Sequence, residues 1–299
     1  MARRALAILL GLLALIGIAM EFTGSFAFVR VSRIQRRIDA AYKQAVRIGT
    51  VAADGKPTML VAGNSLMLVG LDLPRFQGEI GSRYQASAFF VEGTLYMDWY
   101  YGLRKLFHEG SRPKVVVLGL ATNHLAIPGV REEYFAHFMM SPGDAPKVAS
   151  QLHLNATTAS NYFFASLSGW LGAKSEIRKW VLIKTMPDLD AVGNLLRPGP
   201  PILPGSDTLQ KRITSNLLAL RQVCDAHGSR LIIVVPPTLD KKDPYLIDQA
   251  AGSAAGVPVL VPLTPGELGS NDYLDGFHLN AHGAAVFTDA LAVGLLRTL

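Results

Sequence analysis

Serine, histidine and aspartate fall in this chain where a single nucleophilic site could be assembled. Gly63-Asn64-Ser65-Leu66 follows the apolar run Met59-Leu60-Val61-Ala62, and Asp275-Gly276-Phe277-His278-Leu279-Asn280 precedes the last helix-like segment. A serine hydroxyl is a weak nucleophile until an adjacent base takes its proton. His278 supplies a base, and Asp275 a carboxylate to orient it and set its tautomer, which is the logic of a serine-nucleophile triad. Gly276 permits a tight turn between the two, and Asn280 can cap the helix that follows. Gly119-Leu120-Ala121-Thr122-Asn123-His124 follows another apolar run, and the Asn123 amide could donate to a tetrahedral oxyanion.

Each of these residues also has a plainer use. Ser65, set before the helical run Leu66, Met67, Leu68 and Leu71, could serve only as a helix N-cap. Asn123 suits a turn, and His124 could line a pocket or begin a helix. If Ser65 opens a helix, backbone N–H groups lie near any developing oxyanion. Asp275, His278 and His282 could instead gather a metal. Asn280 as N-cap leaves His278 outside the helix and spoils the spacing of the two histidines, so no metal and no cofactor is expected.

The elements that must position these groups are legible as short apolar runs alternating with helical ones. Strands are expected at Met59–Ala62, Tyr84–Phe90, Lys114–Leu118, Leu231–Val235 and Val257–Val261. Helical patterns run from about Leu95 to Phe107, Thr208 to His227 and Ala281 to Leu295. Continuous Val/Ile/Leu strands separated by helices imply a mostly parallel α/β sheet covered on both faces. Functional residues in such sheets gather beyond the carboxyl ends of the strands, which is where Ser65 and Asn123 fall.

Between Pro128 and Gly205 this rhythm disappears. Arg131–Met140 and Thr157–Val181 read as aromatic-rich helices, followed by a Pro/Gly loop from Arg197 to Gly205. The stretch reads as an insertion packed over the mouth of the site, able to shape a substrate pocket, touch a membrane or simply complete the core.

At the N-terminus, Ala5–Met20 carries no charge, and the apolar character resumes after Glu21. As one helix, Ala5–Val29 would be about 37 Å long, enough to cross a bilayer with some tilt. Arg3-Arg4, an apolar stretch and Ser25-Phe26-Ala27 would also suit a cleaved signal peptide. An uncleaved anchor is favoured, because Val31–Ile48 reads as a continuing basic amphipathic helix. Four arginines follow the segment (Arg30, Arg33, Arg36, Arg37) and two precede it, so the charge count does not favour export, whereas the signal-like beginning does. The expectation is a single-pass anchor in the inner (cytoplasmic) membrane with an extracytoplasmic domain. Domains are expected at 1–30 (anchor), 31–57 (amphipathic helix and linker) and 58–299 (α/β domain with a helical insertion at 128–205).

Bulk composition agrees with a globular, membrane-attached chain. Of 299 residues 49% are apolar and 17% charged, slightly too apolar for an ordinary soluble protein. The net charge of +6 is partly spent on arginines flanking the apolar segment, so nucleic acid is not expected as a partner. Cys224 is the only cysteine, which excludes an intramolecular disulfide.

Taken together, Gly63-Asn64-Ser65-Leu66, Gly119–Asn123 and Asp275-Gly276-Phe277-His278-Leu279-Asn280 with Gly283 resemble the blocks of the SGNH/GDSL hydrolase superfamily. The likeness is to its membrane-attached branch near exopolysaccharide O-acetylation proteins, and it covers roughly residues 58–125 and 230–297. It implies a three-layer α/β/α sandwich with a flavodoxin-like parallel sheet. By the same resemblance Ser65 is the nucleophile, His278 the base and Asp275 its orienter. The Ser65 N–H, the Gly93 N–H and the Asn123 side chain would form the oxyanion hole. The chain departs from the pattern twice: Asn64 replaces the usual Asp, and His124 stands where an Asp usually follows Asn123. The implied activity is that of a serine esterase or acyltransferase on O-acyl groups, O-acetyl in particular, of envelope or extracellular glycans. Its partners would be the membrane, an O-acylated glycan or small ester, and a membrane-bound acyltransferase. The alternative is an inactive, membrane-tethered binding or assembly protein that keeps the fold.

Overall fold

The computed structural model describes residues 2–186, 203–239 and 244–299. They form two compact units, Met1–Asp39 with Arg131–Pro200 and Ala40–Val130 with Pro201–Leu299. The first begins with α1 (Ala2–Phe22), which passes through a π-helical turn at Thr23–Ala27 into α2 (Phe28–Val31). The stretch Arg3–Val31 is long and apolar enough to cross a membrane. The amphipathic helix expected to run on from Val31 is interrupted. Ser32 leaves the helical region at ψ 118°, and its hydroxyl accepts from Gln35 N–H to restart the chain as α3 (Arg33–Val46).

In the α/β unit the chain then forms β1 (Thr58–Gly63), α4 (Ser65–Gly70), α5 (Leu73–Ile80), β2 (Gln85–Phe90), α6 (Tyr96–His108), β3 (Val115–Gly119) and α7 (Thr122–Ala126). It returns to the helical unit for α8 (Glu132–Phe138), α9 (Ala145–Gln151), α10 (Ala156–Leu167) and α11 (Gly169–Thr185). The helix expected over Thr157–Val181 is two helices, because Ser168 turns to an extended conformation and caps α11 through Leu171 N–H. Of the Pro/Gly loop expected at 197–205, residues 197–202 lie outside the described residues. The α/β unit resumes with α12 (Ser206–Asp225), β4 (Arg230–Val234), α13 (Tyr245–Ala255), β5 (Val259–Leu260) and α14 (Ala281–Thr298).

All five strands are parallel, in the order β2-β1-β3-β4-β5. This is the flavodoxin-like order of an open doubly wound sheet, with its switch point between β1 and β3. Alternate side chains serve opposite faces. Met59, Val61, Val117, Ile232 and Val234 meet Phe76 of α5 and Phe287 and Leu291 of α14 on one side. Leu60, Val116, Leu118 and Ile233, pointing the other way, are equally buried. Burying each such side chain contributes about 1.5–3 kcal/mol, which is why these strands carry unbroken apolar runs instead of alternation.

Candidate active site

The site is built at the carboxyl ends of β1, β2 and β3, which stop in register: Gly63 pairs with Phe90 on one side and with Gly119 on the other. A side chain at Gly63 would place its Cβ 2.6 Å from the Gly119 carbonyl oxygen and 2.6 Å from Met67 Cγ. Glycine at both positions lets α4 turn sharply off β1 with Met67 seated over the two strand ends, which presents Ser65 at the sheet edge.

Ser65 is the first residue of α4, and the cap is its neighbour. The Asn64 side-chain oxygen accepts from Leu66 N–H at 3.1 Å. The reading of Ser65 as a mere N-cap is thereby corrected: Asn64 takes that task, and the serine hydroxyl is left to other partners. The other half of the Asn64 amide donates to the Thr94 carbonyl at 3.3 Å, in the loop between β2 and α6. That loop is tied further by Thr94 Oγ1 to the Val91 carbonyl, by Trp99 Nε1 to Thr94 Oγ1, and by Leu95 N–H to Asp98. Asn64, 1% exposed, therefore accepts and donates at once. An ionised aspartate has no proton to give, so an amide, not a carboxylate, suits both partners here. The signal lay in the sequence only as an amide directly before the serine.

From the far end of the chain comes His278. Its Nε2 lies 3.0 Å from Ser65 Oγ across 213 positions of sequence, and its Nδ1 lies 2.8 Å from Asp275 Oδ2. The loop that holds it is self-contained. Asp275 Oδ1 accepts from the Phe277 and His278 N–H groups, Gly276 takes φ +75°, and Leu274 N–H closes on the His278 carbonyl. The ring hydrogen bond to His278, followed by the backbone bond from the same residue, holds the Asp275 carboxyl down to about 2. Asp275 is thus an anion at neutral pH, and an anion at Nδ1 keeps the proton there and leaves Nε2 to accept from the serine.

What joins the two halves is α14. Asn280 caps it by accepting from His282 and Gly283 N–H. Thr288, fully buried, receives Asp72 N–H on its hydroxyl, and Arg75 grips Asp289 through two nitrogens. Leu279 and Phe287 pack on Gly70 at the end of α4. His282 turns away to Asp272 at 2.8 Å, so the structure does not bring it to His278 and Asp275.

Gly93 (φ +71°) follows β2 in the loop that Asn64 holds, and Asn123 follows β3 on the same edge of the sheet. The Asn123 side-chain oxygen accepts from His124 N–H, which leaves its NH2 as the face free to donate. His124 is largely buried, and burial lowers its ring to about 4, so it is neutral at physiological pH. Its Nδ1 has no partner among the described residues.

No family model matches the chain, and no curated protein matches it. Among solved structures, LAE5, an α/β hydrolase enzyme from the metagenome of Lake Arreo, Spain, is similar over 82% of this chain and 97% of its own, at 10% identity and a TM-score of 0.41. A likeness of that size leaves the assignment to the residues themselves.

Proposed function

We propose that the protein is a membrane-anchored serine enzyme that transfers or hydrolyses O-acyl groups through an acyl-enzyme. One observation carries this reading: the unbroken line from Asp275 through both nitrogens of His278 to the Ser65 hydroxyl. His278 Nε2 takes the serine proton as Oγ attacks the acyl carbonyl. The tetrahedral oxyanion receives the Ser65 and Gly93 N–H groups and the Asn123 amide, and the protonated imidazole, held by Asp275, returns the proton to the departing alcohol. Water then takes the acyl group in an esterase and a sugar hydroxyl in a transferase, each activated by the same histidine. The resemblance to the SGNH/GDSL superfamily supports O-acetyl groups of envelope glycans as substrates. It also supports a membrane-bound acyltransferase as the supplier of acyl groups and an extracytoplasmic site tethered by Arg3–Val31.

The test is covalent labelling of the purified full-length protein with a fluorophosphonate, together with hydrolysis of p-nitrophenyl acetate. Wild type is expected to be labelled on Ser65 and to hydrolyse the ester, and folded Ser65→Ala to do neither. A folded wild type that is neither labelled nor active would overturn the enzyme reading in favour of a binding protein.

A further inference from the structure

Within the helical unit, the surface of α1 is bare as far as Met20. Leu9, Leu12, Leu13, Leu15 and Ile18 are 53–67% exposed. Coverage begins abruptly at Glu21. Its carboxylate accepts from Ser25 Oγ at 2.5 Å, Ser168 Oγ at 2.7 Å, Gly169 N–H at 2.7 Å and Trp170 N–H at 3.4 Å, which seats it on the N-terminus of α11. One turn on, Gly24 presses on the Trp170 backbone so closely that a Cβ would lie 2.4 Å from Trp170 Cα. Phe28 is buried and meets Trp180 edge-on. The rod is therefore fixed to α11 from Glu21 to Phe28, and the α10–α11 corner stands level with Glu21.

Length then sets the depth of that corner. Ala5–Met20 supplies about 24 Å of charge-free helix against a hydrocarbon core of about 30 Å. A span that starts at Ala5 must continue through Glu21 to about Gly24. A carboxylate at the hydrocarbon edge is costly unless satisfied by protein, and the corner satisfies this one with three of its four hydrogen bonds. Ser168, Gly169 and Trp170 must share its depth. Beside them Phe163, Phe164 and Leu167 are left 41%, 54% and 59% exposed. On the rod, Phe26 is exposed beneath the Arg30 guanidinium, 3.8 Å from its ring centre, the pairing of apolar body and charged tip that suits a headgroup boundary.

We infer that the α10–α11 corner is a membrane foot: Phe163, Phe164 and Leu167 enter the leaflet at the Glu21 end of the anchor. This rests on the anchor reading, because the depth is counted from the spanning segment. It gives the protein a second, non-spanning contact that fixes how the helical unit meets the lipid.

The experiment is depth-dependent quenching of the full-length protein in phosphatidylcholine vesicles. An environment-sensitive fluorophore is placed on Leu167→Cys, Phe164→Cys or Leu13→Cys. Cys224 is wholly buried and burial pushes its thiol up to about 12, so in the folded protein only the introduced cysteine reacts. Probes at 167 and 164 are expected to lose quenching by aqueous iodide and to be quenched most by lipid nitroxides near the headgroup. The probe at 13 should respond most to nitroxides near the chain terminus. Iodide access at 167 and 164, with 13 deep in lipid, overturns the foot and leaves the anchor. Probes shielded from both iodide and nitroxide show the corner covered by protein, a second copy or another chain, and overturn the foot as well. Iodide access at all three sites removes the anchor and the foot together.

Discussion

Replacing Asn64 by the aspartate usual in the resembling family is expected to harm this protein, by an amount its surroundings set. The acceptor half survives, since a carboxylate oxygen still caps Leu66 N–H and gains up to about 1 kcal/mol from the helix terminus. The donor half is lost. In its place a charged oxygen faces the Thr94 carbonyl at a position 1% exposed. An uncompensated buried charge costs about 3–5 kcal/mol, so the net loss at neutral pH is roughly 2–4 kcal/mol. Protonation relieves it, because a carboxylic acid can donate to Thr94. At about 1.4 kcal/mol per pH unit, a loss of 2–4 kcal/mol raises the new carboxyl by ~2 units from its unfolded value near 3.9. A raised carboxyl means that the folded state holds the extra proton, so stability falls as pH rises across that interval. Urea denaturation of Asn64→Asp and wild type should give near-equal midpoints at pH 4 and a gap that opens to its full size by about pH 7. The Gly93–Thr94 loop moves with the lost bond, so kcat for p-nitrophenyl acetate should fall ~10–100-fold with a smaller change in KM. Equal stability and equal kcat at pH 8 would refute the two-sided role of Asn64.

The Asp275 carboxyl is depressed, so its contribution to stability is full above the unfolded value near 3.9 and is lost as pH falls from about 4 to about 2. In acid titrations followed by circular dichroism, wild type and Asp275→Asn should converge over that window, and kcat of the variant at pH 7.5 should be down ~10²–10⁴-fold, since an amide no longer enforces the tautomer. Gly63→Ala should lower stability by about 1–3 kcal/mol in thermal denaturation, because its Cβ meets the Gly119 carbonyl and Met67 at 2.6 Å.

The sheet was the most legible part of the chain, because strands buried on both faces must be apolar at every position. Val115–Gly119 and Arg230–Val234 fall within a residue of the expected runs. The edge strand β5 shrank from five residues to Val259–Leu260, since only two of its positions pair with β4. Helix breaks were illegible where a serine made them. Ser32 and Ser168 sit inside continuous helical periodicity, and only the capping hydrogen bond each makes shows why the backbone leaves the helix there. The catalytic-looking loop was readable because its geometry is local: Asp275 to His278 is closed by bonds within four residues. The purpose of Asn64 is not legible in the sequence, because its second partner, Thr94, is thirty positions away.

The meeting of Ser65 with His278 depends on neither residue. Ser65 is placed by β1, Gly63 and Asn64, and His278 by the bonds of its own tight turn. Their 3.0 Å separation is set where α14 docks, through Thr288 on the Asp72 backbone, Arg75 on Asp289, and Leu279 and Phe287 against Gly70. These contacts carry no chemistry, and nothing in the residue types around Asp72 or Thr288 marks them as functional. They nevertheless control the one distance that the proposed proton transfer would require, and an error of 1 Å there would cost about as much rate as losing a catalytic hydrogen bond. On the proposed reading, placing the nucleophile and its base are local problems solved by turns, and bringing them together is the non-local problem solved by the packing of the last helix.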